Sequence, residues 1–515
     1  MLIKRKRIAE WLLIAEKSVF LTIFLSLTVQ ITFGTRNAGN SIVFGVPRWR
    51  FVIVGFILIV TIWGLRTIST LHTHYRRRLH TCLWVGWFVI QYVYVWGTYS
   101  IASSDCWVVH NFAFDFVRNS NVYVWYIEYF SMYSNNILLG IISIVMQNLI
   151  PFSCMNDVWL FTSLLACILA DLAIYWALKM IIYNFGEQYY EITFLLACIL
   201  IGLSEEATIL YSDILSLWTL PFAGFYIGKS IKENDIRRKY INYLYTGLAL
   251  GFGSAIKPQM LIFLFAWIIM LLIQIGIQKI DALRPILLGI IVCIVLCAGL
   301  SDIGKRWFCN AIIKYEEHSQ EYFENTEFSY LHWMNMGLNE ESMGGYSLED
   351  VEATKAIVGK KNKSAALKES IKDRLSAFGF GGYLQFLNSK VIYALQNGSF
   401  SEGVVWKGTC INNAQTAKLL QKCFLSTSSH WKYGAAVLIQ ITYLGCLWLS
   451  NVNAIVDFKT KKSNFMVQIA QITLLGDIMF LALFERNMRY FFSVLPLLIF
   501  LAISGLDQFS KQKRG

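Results

Sequence analysis

Acidic side chains recur in the short polar segments that separate the apolar runs of this chain. The stretch "SSDCWVVHNFAFDF" carries Asp105 directly after an apolar run and Asp115 ten residues later, and "SEEATILYSD" carries Glu205, Glu206 and Asp213. A carboxylate can take the proton of an attacking hydroxyl group as a general base. The sequence therefore offers several candidate bases, although a single acid at a helix end is usually only solvated.

Basic residues accompany these acids. Lys257 lies in "GSAIKPQ", where Pro258 breaks the chain between two apolar runs, and the tight turn "FERNMRY" carries Glu485, Arg486 and Arg489. Arginine can hold two phosphate oxygens at once, whereas lysine acts as a compact point charge. These cations predict a binding site for an anionic head group such as a phosphate.

Histidine and cysteine add little to this set. His332, in "LHWMNMGLN", is a candidate ligand of the molecule that bears the attacking hydroxyl group or of the phosphate, but a single loop histidine beside a tryptophan is more often simply packed. The chain has no CxxC or His/Cys metal spacing and no GxGxxG, P-loop or HExxH motif. No cofactor is predicted, and the assistance of a divalent cation is left open.

The composition sets the class of protein. Of 515 residues, 56% are hydrophobic and only 15% are charged, and many apolar runs are about twenty residues long, as membrane-spanning helices are. The net charge of +12 comes from short basic clusters between these runs. Such clusters are typical of orientation signals, so we expect an all-α polytopic membrane protein without a nucleic-acid partner.

The hydropathy pattern predicts about twelve transmembrane helices. They cover residues 18–33, 51–69, 82–101, 156–182, 192–204, 214–230, 241–256, 259–278, 284–302, 432–450, 465–484 and 489–506. The segment 192–204 is the weakest of them because it is short.

Charge decides how to interpret one further apolar segment, 137–150. If this segment crossed the membrane, the basic stretches "KSIKENDIRRKY", "FKTKKS" and "KQKRG" would lie outside, whereas "HYRRRLH" and the N-terminal "KRKR" lie inside. We therefore expect 137–150 to be re-entrant or interfacial, with both termini cytoplasmic.

This topology divides the chain into three parts. Residues 1–302 form a transmembrane catalytic module with a long outer loop at 102–155, and residues 303–431 form an α-rich extracytoplasmic segment between the ninth and tenth helices. Residues 432–515 form the C-terminal transmembrane helices. The candidate acids and cations then share the outer face. Two further acids, Asp171 and Asp477, lie inside predicted helices, either as ion or proton sites or as packing hydrogen bonds.

Several of these segments together resemble the GT-C superfamily of membrane glycosyltransferases. The resemblance lies in the acid after an early span, the dip "YFSMYSNNILLGIIS", the loop "SEEATILYSD" and "GLALGFGSAIKP". Within that superfamily the chain resembles the bacterial protein-mannosyltransferase and aminoarabinose-transferase group. Two later segments, "LHWMNMGLNEESMGGYSLED" and "FERNMRYFFSVLPLLIF", resemble parts of a Gram-positive subgroup.

The resemblance implies transfer of a sugar from a polyprenyl-phosphate carrier to a glycan, lipid or protein acceptor, with inversion at the anomeric carbon. The enzyme would lie in the bacterial cytoplasmic membrane and serve cell-envelope polysaccharide synthesis. Asp105 matches the family's first-loop catalytic acid. Family members often carry a paired "DE" or "DD" there, whereas Cys106 follows here, so the second acid is open between Asp115 and the 205–213 loop.

Two other functions compete with this one. A transporter or flippase of lipid-linked glycans would account for the many helices and the acids inside them, but the sequence shows no inverted repeat. A glycan polymerase would join whole repeat units from the same kind of carrier.

Overall fold

The chain is almost entirely helical in the computed structural model, which describes residues 2–34, 48–68, 73–118, 124–277, 283–312, 323, 325–400, 407–425, 430–460 and 464–512. The N-terminal basic side chains before Lys6 and most of "FKTKKS" and of the tail "KQKRG" lie outside this part.

The helices of the N-terminal half are α1 (Leu2–Phe33), α2 (Arg48–Ile68), α3 (Thr73–Thr98), α4 (Ser104–Val117), α5 (Val124–Met132), α6 (Ile137–Leu149), α7 (Met155–Phe185), α8 (Tyr190–Ala197), α9 (Ser212–Leu217), α10 (Thr219–Lys232) and α11 (Ile236–Ile256). Those of the C-terminal half are α12 (Leu261–Ile277), α13 (Leu283–Ala311), α14 (Tyr330–Met336), α15 (Leu348–Lys355), α16 (Lys360–Leu395), α17 (Gln415–Phe424), α18 (His430–Thr460), α19 (Phe465–Leu483), α20 (Arg489–Phe492) and α21 (Leu495–Gln512).

Within the described residues, six helices are long and apolar enough to cross a membrane. They lie in α1, α7, α12, α13, α18 and α19, and the bent pair α5 and α6 would make a seventh. An all-helical polytopic membrane protein is therefore confirmed, whereas the twelve spans are not. The predicted span 192–204 corresponds to the short helix α8 and the π-helical turn that follows it. Two other predicted spans are interrupted: 214–230 divides at Trp218, and 489–506 divides between α20 and α21.

The predicted re-entrant segment corresponds closely to α6. It follows α5 after a bend of 104°, which is the geometry of either a broken span or a re-entrant loop. The bend brings the polar "YSNN" segment between the two helices, and that segment supplies part of the candidate site described below.

Helices α11 and α13 pack backbone against backbone. A Cβ atom on Gly247 would overlap the carbonyl oxygen of Gly289, and one on Gly251 would lie 2.9 Å from the carbonyl oxygen of Cys293. Each helix carries two small residues four positions apart, Gly247 and Gly251 in α11 and Gly289 and Cys293 in α13. This spacing of small residues lets two helices approach closely in a membrane. This contact holds α11, which Lys257 follows, close against α13.

The predicted extracytoplasmic segment contains α14 to α17 and one strand. Strand β2 (Lys407–Cys410) pairs antiparallel with β1 (Ser100–Ala102), which directly precedes α4. Helix α13 continues to Ala311, so it runs through the predicted boundary at 302. The long helix α16 is kinked at Gly379, whose φ is +60°.

A buried lysine attaches this segment to the membrane helices. The Nζ atom of Lys390 in α16 donates to the carbonyl oxygens of Gly337 (2.6 Å), Ala482 (3.0 Å) and Phe484 (2.7 Å). These three carbonyls satisfy all the protons of the ammonium group. The end of α14 and the end of α19 are thereby held together, just before the turn that carries Arg486 and Arg489.

We expect that Gly247→Leu lowers the thermal stability of the purified protein in detergent, because a side chain there must push α13 away. Overpacking of this kind costs about 1–3 kcal/mol. The matched control is Gly299→Leu in α13, where nothing lies within 4 Å of an added Cβ atom. Equal melting temperatures of the two variants would contradict the close contact.

Candidate functional site

Asp105 lies in the first turn of α4, next to a strained residue. Ser104 has a φ of +55°, a conformation that residues other than glycine rarely adopt and that costs about 1–3 kcal/mol. Such strain persists only where surrounding contacts hold it, and it is concentrated at functional sites.

Two side chains of α4 hold this helix against the loop that precedes α9. His110 Nε2 donates to the carbonyl oxygen of Leu210 at 3.0 Å, and Cys106 Sγ lies 3.7 Å from the same oxygen. Because Nε2 carries the proton, Nδ1 accepts from the hydroxyl of Ser143 in α6 at 2.8 Å. Asp105 is therefore placed at a fixed distance from Tyr211, the residue after Leu210.

Tyrosine hydroxyls reach both oxygens of the Asp105 carboxylate. Tyr129 donates to Oδ1 at 2.7 Å, and the hydroxyl of Tyr211 lies 3.1 Å from Oδ2. Asn136, in the segment between α5 and α6, donates to the Tyr129 hydroxyl at 2.7 Å, and its own Oδ1 lies 3.0 Å from the Tyr211 hydroxyl. The side chain of Asp105 keeps 29% of its surface exposed, so the oriented carboxylate stays accessible.

A buried cluster of charges lies beside this carboxylate. Arg489 reaches Asp105 Oδ2 with one terminal nitrogen at 4.0 Å and Asp213 Oδ2 with the other at 3.6 Å. Lys257 forms an ion pair with the second oxygen of Asp213 and donates to Ser493 Oγ at 2.7 Å. Two acids and two bases from four parts of the chain are therefore brought together.

Burial and pairing act in opposite directions on the two cations. Burial lowers the pKa of Lys257, and the neighbouring Asp213 only partly offsets this. Burial also opposes the charge of Arg489, but Asp213, Tyr211 and Asp105 raise its pKa well above the usual range. Arg489 is therefore the permanent positive charge of the site.

Glu206 is the fifth charged residue near this cluster. It is 4% exposed, and its Oε1 has no hydrogen-bond partner among the described residues. Burial, followed by the charge of Asp213, raises its pKa to about 8. At neutral pH the carboxyl group is therefore mostly protonated, which leaves Asp105 and Asp213 to balance Arg489 and Lys257.

Two predicted residues lie away from the cluster. Asp115 is ten residues further along α4, about 15 Å at the helical rise, and accepts a hydrogen bond from Tyr126 at 2.9 Å. His332 is fully buried, bonded through Nδ1 to Thr354 at 2.9 Å, and its ring lies 4.1 Å from that of Phe328. Burial lowers its pKa to about 4, so it is a neutral packed side chain.

The remaining predicted residues border the cluster. Glu205 precedes Glu206 in a 3₁₀ turn, and Glu485 lies 3.4 Å from the hydroxyl of Tyr490. Arg486 donates through Nε to the carbonyl oxygen of Met343 at 3.1 Å, and its guanidinium carbon lies 4.0 Å from the centre of the Tyr393 ring. Arg486 thus holds a loop in place.

An aromatic rim adjoins the exposed side of the site. Burial raises the pKa of Tyr133, and the nearby Tyr346, Asp105 and Glu485 raise it further. Tyr346 is 59% exposed and interacts with the same two acids. The Tyr133 ring also lies 5.8 Å from that of Trp333. These rings are available to contact a ligand that approaches Asp105.

A small pocket lies beside Cys106 of α4, lined by Thr98, Ser100, Cys106, Thr162, Thr208 and other residues. No acid or base lines it, so it offers hydroxyl groups but no charge. Elsewhere in the described part of the chain, no group of three or more His, Cys, Asp or Glu side chains is arranged to hold a metal ion.

The sequence did not single out the uncharged members of the site. These residues lie within or next to the segments already singled out: Tyr129 and Asn136 lie in "YFSMYSNN", Tyr211 lies in "SEEATILYSD" and Ser493 follows "FERNMRY". Charge counting ignores hydroxyl and amide groups, which explains the omission. The Tyr and Asn content of the dip was the available signal.

We expect Glu206→Gln to become more stable than the parent protein as the pH rises from about 5 to 8. The unfolded chain releases this proton near the ordinary value of 4.5, but the folded protein keeps it to about 8. Between these two pKa values, ionisation of Glu206 lowers the free energy of unfolding of the parent by about 1.4 kcal/mol per pH unit. Glu206→Gln has no such loss. Melting curves across this range measure the effect, with the half-buried Glu205→Gln as control. A constant difference between E206Q and the parent would contradict it.

Comparison with known proteins gives one result on the family. No curated protein and no solved structure matches this chain. A family model described as "conserved hypothetical integral membrane protein" matches residues 11–509, which is almost the whole chain. The chain therefore belongs to this family of conserved hypothetical integral membrane proteins.

Proposed function

We propose that this protein is a membrane glycosyltransferase of the GT-C type, with Asp105 as general base. It transfers a sugar from a polyprenyl-phosphate carrier to an extracytoplasmic acceptor, with inversion at the anomeric carbon. The observation that carries the proposal is an accessible carboxylate whose two oxygens are each met by a tyrosine hydroxyl, 4.0 Å from a buried arginine.

The helix ends support an extracytoplasmic site. Helix α3 begins with Arg76 to Arg78 and ends close to Asp105, and α11 begins with Arg237 to Lys239 and ends beside Lys257. Helix α11 has 21 residues and is therefore about 30 Å long, which is the thickness of the hydrocarbon core. Since basic ends favour the cytoplasm, the site faces outward in a bacterial cytoplasmic membrane, with both termini inside.

The accessible carboxylate of Asp105 and the buried Arg489 suit the two requirements of this reaction, a base for the acceptor and a positive charge for the leaving group. An acceptor hydroxyl must lose its proton as it attacks the anomeric carbon, and the carboxylate of Asp105 is held in place to take it. The leaving group is a phosphate, which departs as an anion and needs a positive charge more than a proton. Arg489 supplies a permanent charge 4.0 Å from the base, in surroundings where burial strengthens it.

The contacts of the other two cations favour supporting roles. Lys257 is already paired with Asp213 and bonded to Ser493, so it supports Arg489 and does not itself hold the donor phosphate. Arg486 is bonded to backbone carbonyls and positions the turn. The rim of Tyr133, Trp333 and Tyr346 is suited to stack on a sugar face, whether the acceptor is a glycan, a lipid or a protein.

We expect Asp105→Asn to remove sugar transfer while it leaves the melting temperature within about 2 °C of the parent, because the amide keeps the shape and loses the base. The measurement uses purified protein in vesicles that contain labelled polyprenyl-phosphate sugars. The matched control is Asp115→Asn on the same helix, which should keep most of the activity.

Three results of that assay would count against the proposal. Transfer by Asp105→Asn at the parental rate would show that Asp105 is not the general base. Carrier movement without cleavage of the sugar-phosphate bond would favour a transporter or flippase, and ligation of whole repeat units would favour a polymerase.

We also expect Arg489→Ala to raise the KM for the lipid-phosphate donor at least tenfold more than Lys239→Ala does. Arg489 lies beside the base, whereas Lys239 lies at the other end of α11, in the basic cluster. Loss of one charged hydrogen bond to the phosphate costs about 1.5–3 kcal/mol, which is about a factor of 10 to 100. Equal effects of the two substitutions would argue against a phosphate beside Asp105.

A further inference from the structure

A second group of polar side chains lies at the opposite end of the bundle, between α1, α18, α19 and α21. Its members are buried inside the protein although the surrounding helices are apolar: Lys17 is 6% exposed, Asn453 0%, Asp457 5% and Gln468 1%. The prediction that the first span starts at residue 18 left Glu16 and Lys17 outside it, whereas the apolar part of α1 runs from Lys6 to Phe33.

One half of this cluster is a connected hydrogen-bond network. Gln508 donates through Nε2 to Asp457 Oδ1 at 2.8 Å and to Asn453 Oδ1 at 2.7 Å. The hydroxyl of Ser504 donates to the same Asn453 oxygen at 2.9 Å. From α1, Lys17 donates to the main-chain oxygen of Asp457 at 3.2 Å. These bonds tie α1, α18 and α21 together.

The other half of the cluster is open. The carboxylate of Glu16 interacts with the charges of Lys17 and Asp457 and with the amide of Gln468. Yet neither oxygen of Glu16 has a partner at hydrogen-bond geometry, and the same is true of both amide atoms of Gln468 and of Gln508 Oε1, within the part of the chain that is described. Buried polar groups are rarely left in this state, least of all in a membrane.

The charges and the free atoms indicate what would complete this half. Two carboxylates face one ammonium group, so the charged groups described here carry one excess negative charge. Four of the partnerless atoms are oxygens, from one carboxylate and two amides. Oxygen ligands suit a hard cation, and the nearby Lys17 disfavours a double positive charge.

We propose that Glu16, Gln468 and their neighbours form an intramembrane site for a single monovalent cation, Na⁺ or a proton. The site lies on α1 and α19, at the basic end of the bundle, and shares no residue with the Asp105 cluster. The cation would neutralise Glu16 and thereby stabilise the packing of α1 against α18 and α19. The inference does not depend on the proposed glycosyltransferase.

The test measures the melting temperature of the full-length protein in detergent, in NaCl and in choline chloride at equal ionic strength, at pH 8. A ligand that binds only the folded state stabilises it, so we expect Na⁺ to raise the melting temperature by about 2 °C or more. Glu16→Gln should abolish the rise, and Gln468→Met should reduce it. Glu10→Gln, an exposed position on the same helix, is the matched control and should behave as the parent does. Binding of ²²Na⁺ at about one ion per chain, lost in Glu16→Gln, should accompany the rise.

A second series, in choline chloride between pH 8 and 5.5, separates the two ions. It is made in the Glu206→Gln background, because Glu206 itself makes the stability of the parent depend on pH over this range. If the proton is the ligand, the melting temperature of the Glu206→Gln protein rises on acidification, Na⁺ has no effect, and the added change Glu16→Gln removes the rise; the charged groups that face Glu16 are Lys17 and Asp457. A Glu206→Gln protein whose melting temperature depends on neither Na⁺ nor pH would overturn the proposal and assign the space to water. So would a dependence that the added change Glu16→Gln leaves in place.

Discussion

The ion pair between Lys257 and Asp213 is the constraint on which the site depends. The two side chains are only 7% and 3% exposed, and removal of either partner would leave a charge stranded away from water. The pair therefore needs its neighbours: Ser493 accepts a second bond from Lys257, and Arg489 holds the other oxygen of Asp213. These contacts bring three parts of the chain to one point: α9, the break after α11, and the segment that contains α20.

Features far from the charges bring these segments to that point. The glycine contact between α11 and α13 sets how closely the two helices lie, and Pro258 ends α11 by keeping Lys257 out of the helical conformation. Gln259 then donates to Asp477 in α19 at 2.6 Å and to the carbonyl oxygen of Tyr490 at 3.0 Å, so the suspected acid inside α19 serves as a packing hydrogen bond. Arg486 acts as a clamp, because its main-chain nitrogen donates to the carbonyl oxygen of Gly344. At Gly344 φ is +69°, and a Cβ atom would strike Lys390.

The grouping of charges could be predicted from the sequence, and the finer geometry could not. The positive-inside rule brought Asp105, Asp213, Lys257 and Arg489 to one face, and the structure brings these four side chains together. The positive-inside rule could not separate Asp115 from Asp105, because the distance between them depends on α4 being one straight helix. The rule also could not rank Arg486 against Arg489, since both lie in one turn and only tertiary contacts decide which guanidinium faces the carboxylates. The six helices of the described residues that are long and apolar enough to cross a membrane do not confirm the twelve predicted spans, and several of the predicted runs are interrupted by bends.

The two pairs of charges differ in how easily a ligand could rearrange them. Lys257 cannot leave Asp213 without stranding a carboxylate that is 3% exposed, whereas Arg489 lies 4.0 Å from Asp105, which is at the outer limit of an ion pair. In the proposed reaction, an incoming phosphate competes with Asp105 for Arg489. Asp105 would keep the two tyrosine hydroxyls that orient it, so the carboxylate stays in position for the acceptor while the phosphate takes up the guanidinium group. Donor binding would thus leave the pair of Lys257 and Asp213 intact and change only the contact between Arg489 and Asp105.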